Sequence, residues 1–225
     1  MSALSTAASA KIRPGPGFKD RKRAIGIVAT LLHSAGTTAR MSGVVLGSLM
    51  SVALGTGGLH LGILHLGDNF HAVVPGELYR SAQPTPRLIS DYQKEYGIRT
   101  VINLRGENVG SGWYDAELAA TSKLCIRFVN FRMSAKREFT QDRFTELMAV
   151  LREAEKPILV HCISGSDRSG LISALYLAGV AKVGEERADS QISFRYGHIP
   201  LWFSPPYAMQ RSFEALKPVL GFSAS

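Results

Sequence analysis

The sequence is short of cysteine. Two are present, Cys125 and Cys162, in 225 residues. One pair builds no disulfide framework, and their spacing matches no zinc pattern, so neither a stapled fold nor a metal site is expected. Acid is scarce relative to base, 18 Asp and Glu against 26 Lys and Arg, for a formal charge of +8. That excess would suit a nucleic-acid binder if it lay on the folded body. It does not. Lys11, Arg13, Lys19, Arg21, Lys22, Arg23 and Arg40 all fall within residues 1–41, where Asp20 is the one acid. No nucleic-acid partner is expected. With its small and polar residues and the run Pro14-Gly15-Pro16-Gly17, the segment 1–41 reads as a basic, disordered arm.

Charge itself is absent from residues 42–67, which contain no Lys, Arg, Asp or Glu. At ~1.5 Å per residue, a helix of that length crosses a bilayer core. An N-terminal apolar anchor helix is therefore expected here. The basic arm would hold the N-terminus in the cytoplasm and put the following domain outside it, on the periplasmic side. A Gly-rich segment of a soluble cytoplasmic protein is the alternative. Gly43, Gly47, Ser51 and Gly55 recur every four residues along one helix face. Small residues of this kind let membrane helices approach closely, so the stripe is a candidate homodimer contact.

From residue 68 to 225 the pattern alternates between strand and helix. Strands are expected at about 77–81, 98–104, 125–131 and 157–161. Helices are expected at about 84–96, 114–123, 140–151, 169–181, 184–193 and 207–216. Such alternation argues for an α/β domain with a mostly parallel central sheet flanked by helices. Cys125, in the apolar run from Leu124 to Val129, is expected to be a buried thiol on a strand.

One segment carries chemistry. His161-Cys162-Ile163-Ser164-Gly165-Ser166-Asp167-Arg168-Ser169-Gly170 joins the strand at 157–161 to the apolar helix that follows. A helix N-terminus offers unpaired N–H groups and partial positive charge. A tight loop before it can aim further N–H groups inward as an anion cradle. Gly165 permits the backbone turn. Arg168 adds a planar fork matched to two phosphate oxygens. Cys162 lies at the base of this positive field, which favours the nucleophilic thiolate. The reaction expected is attack of Cys162 on a phosphate monoester, then hydrolysis of the cysteinyl phosphate, with Ser169 placed to hydrogen-bond the departing thiolate. No cofactor is called for.

The motif His161-Cys162-x5-Arg168-Ser169-Gly170 resembles the H-C-x5-R-[S/T]-G signature of the protein tyrosine and dual-specificity phosphatases. The resemblance extends to Asn69-Phe70, to Val74 through Pro84, to Val101 through Glu107, and to Phe194-Arg195-Tyr196-Gly197-His198. These are similar to segments of bacterial dual-specificity-type members. It covers about residues 69–216 and implies a sheet flanked by helices and phosphate-monoester hydrolysis through a cysteinyl intermediate.

Something the resemblance leads one to expect is missing. The family usually takes a general acid, an Asp, from a loop some 30 residues before the cysteine. Here that stretch, Phe131 to Glu138, contains no Asp. Two carboxylates are candidates: Asp167 within the loop, a position at which some relatives carry their acid, and Glu138 on the neighbouring loop. His161 is expected to be a buried residue that orients the cysteine region. The variable loop positions Ile163, Ser164, Ser166 and Asp167 include no base. That tilts the expected substrate toward a phosphorylated protein or a small phosphate monoester. A phosphoinositide or other lipid-monophosphate phosphatase, and a non-catalytic phosphate-binding module, are the alternatives.

Overall fold

The computed structural model describes residues 46–64 and 67–223. The chain divides into two units, Met1–Gly58 and Leu59–Ser225. The basic arm and Gly43 lie outside the described residues. Helix α1, Leu46–Leu64, is long and apolar enough to cross a membrane, and none of it is buried. Leu49, Met50, Val52, Leu54, Leu59 and Ile63 all stand exposed along it.

The second unit holds a five-stranded sheet in the order β1-β2-β5-β3-β4. The strands are β1 (His71–Val74), β2 (Leu78–Ser81), β3 (Thr100–Asn103), β4 (Arg127–Asn130) and β5 (Ile158–His161). Strand β5 is parallel to β2 and β3, β3 is parallel to β4, and only the edge strand β1 runs antiparallel, against β2. The helices are α2 (Pro86–Tyr96), α3 (Gly112–Lys123), α4 (Gln141–Glu153), α5 (Asp167–Gly179), α6 (Glu185–Asp189) and α7 (Ala208–Leu220).

Alternation along the strands divides the core between the two sheet faces. Ile158, Val160, Leu78 and Ile102 join Leu147, Leu151, Leu171, Leu175 and Phe213 in one apolar cluster. Leu159, Tyr79 and Val101 join Ile89, Tyr92 and Ile98 in the other. Helix α5 is buried at every residue from Ser169 to Gly179. Its N-terminus is thus fixed from all sides at the carboxyl end of central strand β5. In α/β sheets that crevice is where ligands bind.

Threonines cap the starts of α2 and α4. Thr85 Oγ1 accepts from Leu88 N–H, Pro86 opens α2, and Gly97 closes it at φ 71°. Thr140 Oγ1 accepts from Arg143 N–H at the start of α4.

Two expectations fail. Strand β1 has no counterpart in the sequence reading. Cys125 is exposed, not buried, and lies in a turn at φ 54° rather than on a strand. Helix α3 runs to Lys123, so the chain must reverse before β4 begins. Leu124 and Cys125 make that reversal, and Ile126 takes the buried place.

Candidate active site

The loop after β5 runs Cys162–Ser166, and α5 begins at Asp167. Its geometry is set from behind, by what holds its carbonyl oxygens. Ile163 O accepts from Gln83 N–H at 3.1 Å. Ser164 O accepts from Asn69 Nδ2 at 2.8 Å. Gly165 O and Ser166 O both accept from Arg80 Nη2, at 2.7 and 2.9 Å. A trans peptide is planar, so its C=O and the next N–H point in opposite directions. Four carbonyls drawn outward therefore turn the N–H groups of Ser164, Gly165, Ser166 and Asp167 toward the concave side. Among the described residues, the N–H groups of Ser164, Gly165 and Ser166 have no hydrogen-bond acceptor. Their direction, with the partial positive charge of the α5 N-terminus, makes the concave side an anion cradle.

Arg80 is the principal clamp. It is fully buried, and its Nη1 also donates to Gln191 O at 2.8 Å. Its guanidinium carbon lies 4.3 Å from the centre of the Tyr196 ring. Burial pushes its pKa down to about 10, so it still carries charge at neutral pH. Gly165 is required at its place. Its φ is +73°, and a Cβ there would meet Ala82 N and Ser81 C at 2.7 Å. The loop is packed directly onto the end of β2.

Cys162 opens the loop and is buried. Arg168, in the first turn of α5, has Nη1 3.3 Å from Leu104 O, while its buried Nε has no partner among the described residues. The Ser169 hydroxyl is also buried and without a partner among those residues. Both are buried donors without a partner in the first turn of α5. His161 Nε2 lies 2.8 Å from Glu117 Oε1, both side chains fully buried. The approach is close but not aligned as a good hydrogen bond. Glu117 Oε2 accepts from Gln83 Nε2 at 2.9 Å, and Gln83 Oε1 accepts from Arg105 Nη1 at 2.8 Å. A polar chain thus runs from beneath the loop to its rim.

The two candidate acids stand in different surroundings. Asp167 Oδ1 lies 2.8 Å from Nδ1 of His198, whose side chain is fully buried. Glu138 is exposed and pairs with Arg211 Nε on α7 at 2.6 Å. The stretch 131–138 that lacks an Asp is rich in base. Arg132, Arg137, Arg143 and Arg168 join Arg105 and Glu146 around a cleft of about 530 Å³ beside the loop. Burial, then repulsion from Arg168, holds the Arg105 pKa below the ordinary guanidinium value.

The clamps Arg80 and Asn69 and the Asp167 partner His198 are the residues that motif reading undervalues. Each lies in a stretch that resembles the phosphatases, but its partner is 31 to 111 residues away. The one local signal is a charged Arg80 in the middle of the buried strand Leu78-Tyr79-Arg80-Ser81.

An anion cradle that closes on a buried cysteine is the working end of the cysteine-dependent phosphatases, and the chain is one of them, of the protein tyrosine and dual-specificity kind. Residues 67–200 match the family described as "PTP-SAK: Swiss Army Knife protein, DSP-PTPase phosphatase domain". The chain belongs to that family. Among solved structures it is similar to P. aeruginosa TpbA, at 22% identity and TM-score 0.51 over 68% of this chain and 91% of that one. A variant of TpbA in complex with pTyr matches at 21% identity and TM-score 0.51, over 69% and 92%. The core catalytic domain of the PP-IP phosphatase SIW14 from S. cerevisiae matches at 18% identity and TM-score 0.50, over 68% and 93%. At these identities the likeness is one of fold.

Proposed function

We propose that the chain hydrolyses phosphate monoesters through a phosphate-bound Cys162, with Arg168, Asp167 and Ser169 in the reaction. The observation that carries this reading is the outward pull on the carbonyls of Ile163, Ser164, Gly165 and Ser166. It leaves inward N–H groups with no acceptor around a buried cysteine. In the first step Cys162 Sγ attacks phosphorus and the ester P–O bond breaks. Asp167 gives its proton to the leaving oxygen. The N–H groups and Arg168 stabilise charge on the equatorial oxygens. In the second step water attacks phosphorus and the S–P bond breaks. Asp167 takes a proton from that water, and the Ser169 hydroxyl donates to the departing thiolate.

Asp167 is preferred over Glu138 because it lies on the loop itself and is oriented by buried His198. Glu138 is exposed, and its carboxylate is turned to Arg211 on α7 and not to the loop's own helix. His161, with Glu117 and Gln83 behind it, is assigned to positioning. A phosphorylated protein is one substrate in keeping with the class, and the TpbA complex with pTyr supports it. A chain that only bound phosphate would have no use for the unspent Ser169 hydroxyl, so the binding-module reading is set aside.

The test is hydrolysis of para-nitrophenyl phosphate by the full chain, with reductant. Cys162→Ser should abolish turnover. Asp167→Asn should remove the basic limb of the pH–rate profile and lower kcat by about 10²-fold or more, the usual worth of a general acid. Glu138→Gln should leave that limb in place. Loss of the limb in Glu138→Gln alone would transfer the role to Glu138.

The same proposal takes residues 42–67 as a membrane anchor, with the N-terminus cytoplasmic and the phosphatase domain of 68–225 on the other side. Its support is the exposed apolar surface of α1. A homodimer along Gly43, Gly47, Ser51 and Gly55 belongs to this reading. Among the described residues, nothing lies within 4 Å of a Cβ position at Gly47 or Gly55, the open backbone that close helix packing uses.

A further inference from the structure

Single exposed apolar side chains are ordinary on a protein surface, whereas a contiguous run of them marks a binding surface. Among the described residues outside α1, one such run is present. Ile199, Leu201, Trp202 and Phe203 fall within one short loop, each at least 42% exposed, with Trp202 at 77% and Phe203 at 67%. Phe194 is exposed shortly before them.

The run is shaped to project. Ile199 O accepts from Leu201 N–H and Leu201 O accepts from Ser204 N–H, both at 2.8 Å, so two tight turns in succession brace a short tip. The Trp202 and Phe203 rings meet each other edge to face, with centroids 5.6 Å apart, rather than the core. The tip stands on a fixed base. His198 is buried on one side of it and bonded to Asp167, and Ala208 and Met209 of α7 are buried on the other.

What the tip faces follows from the chain that leads into the domain. Helix α1 ends at Leu64, and the path from there to Asn69 reaches at most about 18 Å. Asn69 Nδ2 donates to Tyr196 O at 3.0 Å as well as to Ser164 O. The end of α1 from Leu59 onward lies in the same unit and meets the same segment. The His60 and Phe194 rings are 5.3 Å apart, and His60 Nε2 is 3.3 Å from Phe194 O. Residues 194–203 are thereby held beside the end of the apolar helix. From Ser190 to Phe213 the sequence carries Arg195 and Arg211 and no Asp or Glu, so no acid in that stretch opposes anionic headgroups. Tryptophan is a side chain that settles at the headgroup level of a bilayer. A projecting tip enters a fluid surface without needing a matching pocket.

We propose that the tip 199–203 docks into the bilayer that α1 spans, with Trp202 and Phe203 among the headgroups and the upper acyl chains. The inference rests on the membrane-anchor reading above and adds a second membrane contact, made by the phosphatase domain itself. The domain is then held against the bilayer at two points instead of swinging on a tether. Because His198 directly precedes the tip, one of those points adjoins the site.

Quenching of Trp202 fluorescence tests it. The full chain, in vesicles of phosphatidylcholine and phosphatidylglycerol, is compared with its Trp202→Phe variant, and the difference isolates Trp202 from Trp113. With phosphatidylcholine brominated high in the acyl chain, the Trp202 component should lose most of its emission. Bromine near the chain end should quench it less, and iodide present on both sides of the membrane should barely reach it. A carbonate wash of the same vesicles reports on α1 separately. A chain that survives the wash, with Trp202 open to iodide and untouched by bromine, overturns this inference and leaves the anchor standing. Trp202 shielded from both quenchers is covered by a second copy of the chain, which also overturns it. A chain that the wash releases refutes the anchor, and this inference with it.

Discussion

Replacing Arg80 with Met separates the loop's shape from the protein's stability. The guanidinium holds Gly165 O, Ser166 O and Gln191 O from a fully buried position. Methionine has similar length and no donor. Ser166 O keeps a second bond, from Gly170 N–H at 3.0 Å, so two carbonyls are orphaned. At about 1–3 kcal/mol for each buried unsatisfied group, the loss is about 2–6 kcal/mol. Against this stands relief from burying a cation. Burial lowers the Arg80 pKa to about 10, well below the ordinary guanidinium value, which is worth about 3 kcal/mol at about 1.36 kcal/mol per pH unit. The two terms nearly offset, so the variant should fold, with a net loss of about 0–3 kcal/mol. Activity has no such compensation. With its carbonyl released, the Gly165–Ser166 peptide can rotate and present oxygen to the phosphate instead of N–H. Losing one such donor costs about 10²–10³ in kcat, and that is the fall expected with para-nitrophenyl phosphate. Denaturant unfolding and steady-state kinetics on one preparation measure both. A folded Arg80→Met variant with wild-type turnover would refute the idea that the cradle is shaped from behind.

Other consequences follow from particular residues. Cys125→Gly should raise stability by about 0.5 kcal/mol in thermal unfolding, since a left-handed Cys costs about 1–2 kcal/mol and glycine's extra unfolded entropy returns part of that. Glu77 has its pKa lowered by hydrogen bonds from Lys156 and then Tyr176. Its contribution is therefore present above the unfolded carboxylate value and is lost as pH falls through the folded one. Glu77→Gln should cost under about 1 kcal/mol at neutral pH, because the Lys156 pair is half-exposed, and the cost should vanish in acid. A Tm series against pH reads both. Leu54→Arg in α1 should release the chain from membranes on carbonate extraction while para-nitrophenyl phosphate turnover in detergent persists. Retention of this variant in the membrane would count against the anchor.

The phosphate loop was legible because its chemistry is local. A strand, a glycine at positive φ, an arginine and a helix start fall within ten residues, and no distant contact is needed to see the cradle. Helices α2 and α4 were legible for the same reason, since what caps them, Thr85, Gly97 and Thr140, lies at their own ends. The failures have physical causes too. The apolar run from Leu124 to Val129 looks like one strand, but the end of α3 consumes its first two residues in a reversal. Strand β1 is four residues long and carries His71, too short and mixed for a periodic signal. What turns the loop carbonyls outward comes from Asn69, Arg80 and Gln83, about 80 to 95 residues earlier in the chain. The arginine cleft is likewise assembled from three separate segments, and only folding brings Arg105, Arg132 and Arg168 to one place.

The most direct test of the central claim is to catch the phosphate on Cys162. The full chain is mixed with excess para-nitrophenyl phosphate, quenched in acid within one turnover and digested, and the fragments are weighed. The account predicts a phosphate on the peptide that carries Cys162, absent in Cys162→Ser and more abundant in Ser169→Ala, where the thiolate leaves more slowly. Turnover without any phosphate on that peptide, or turnover that survives Cys162→Ser, would contradict it.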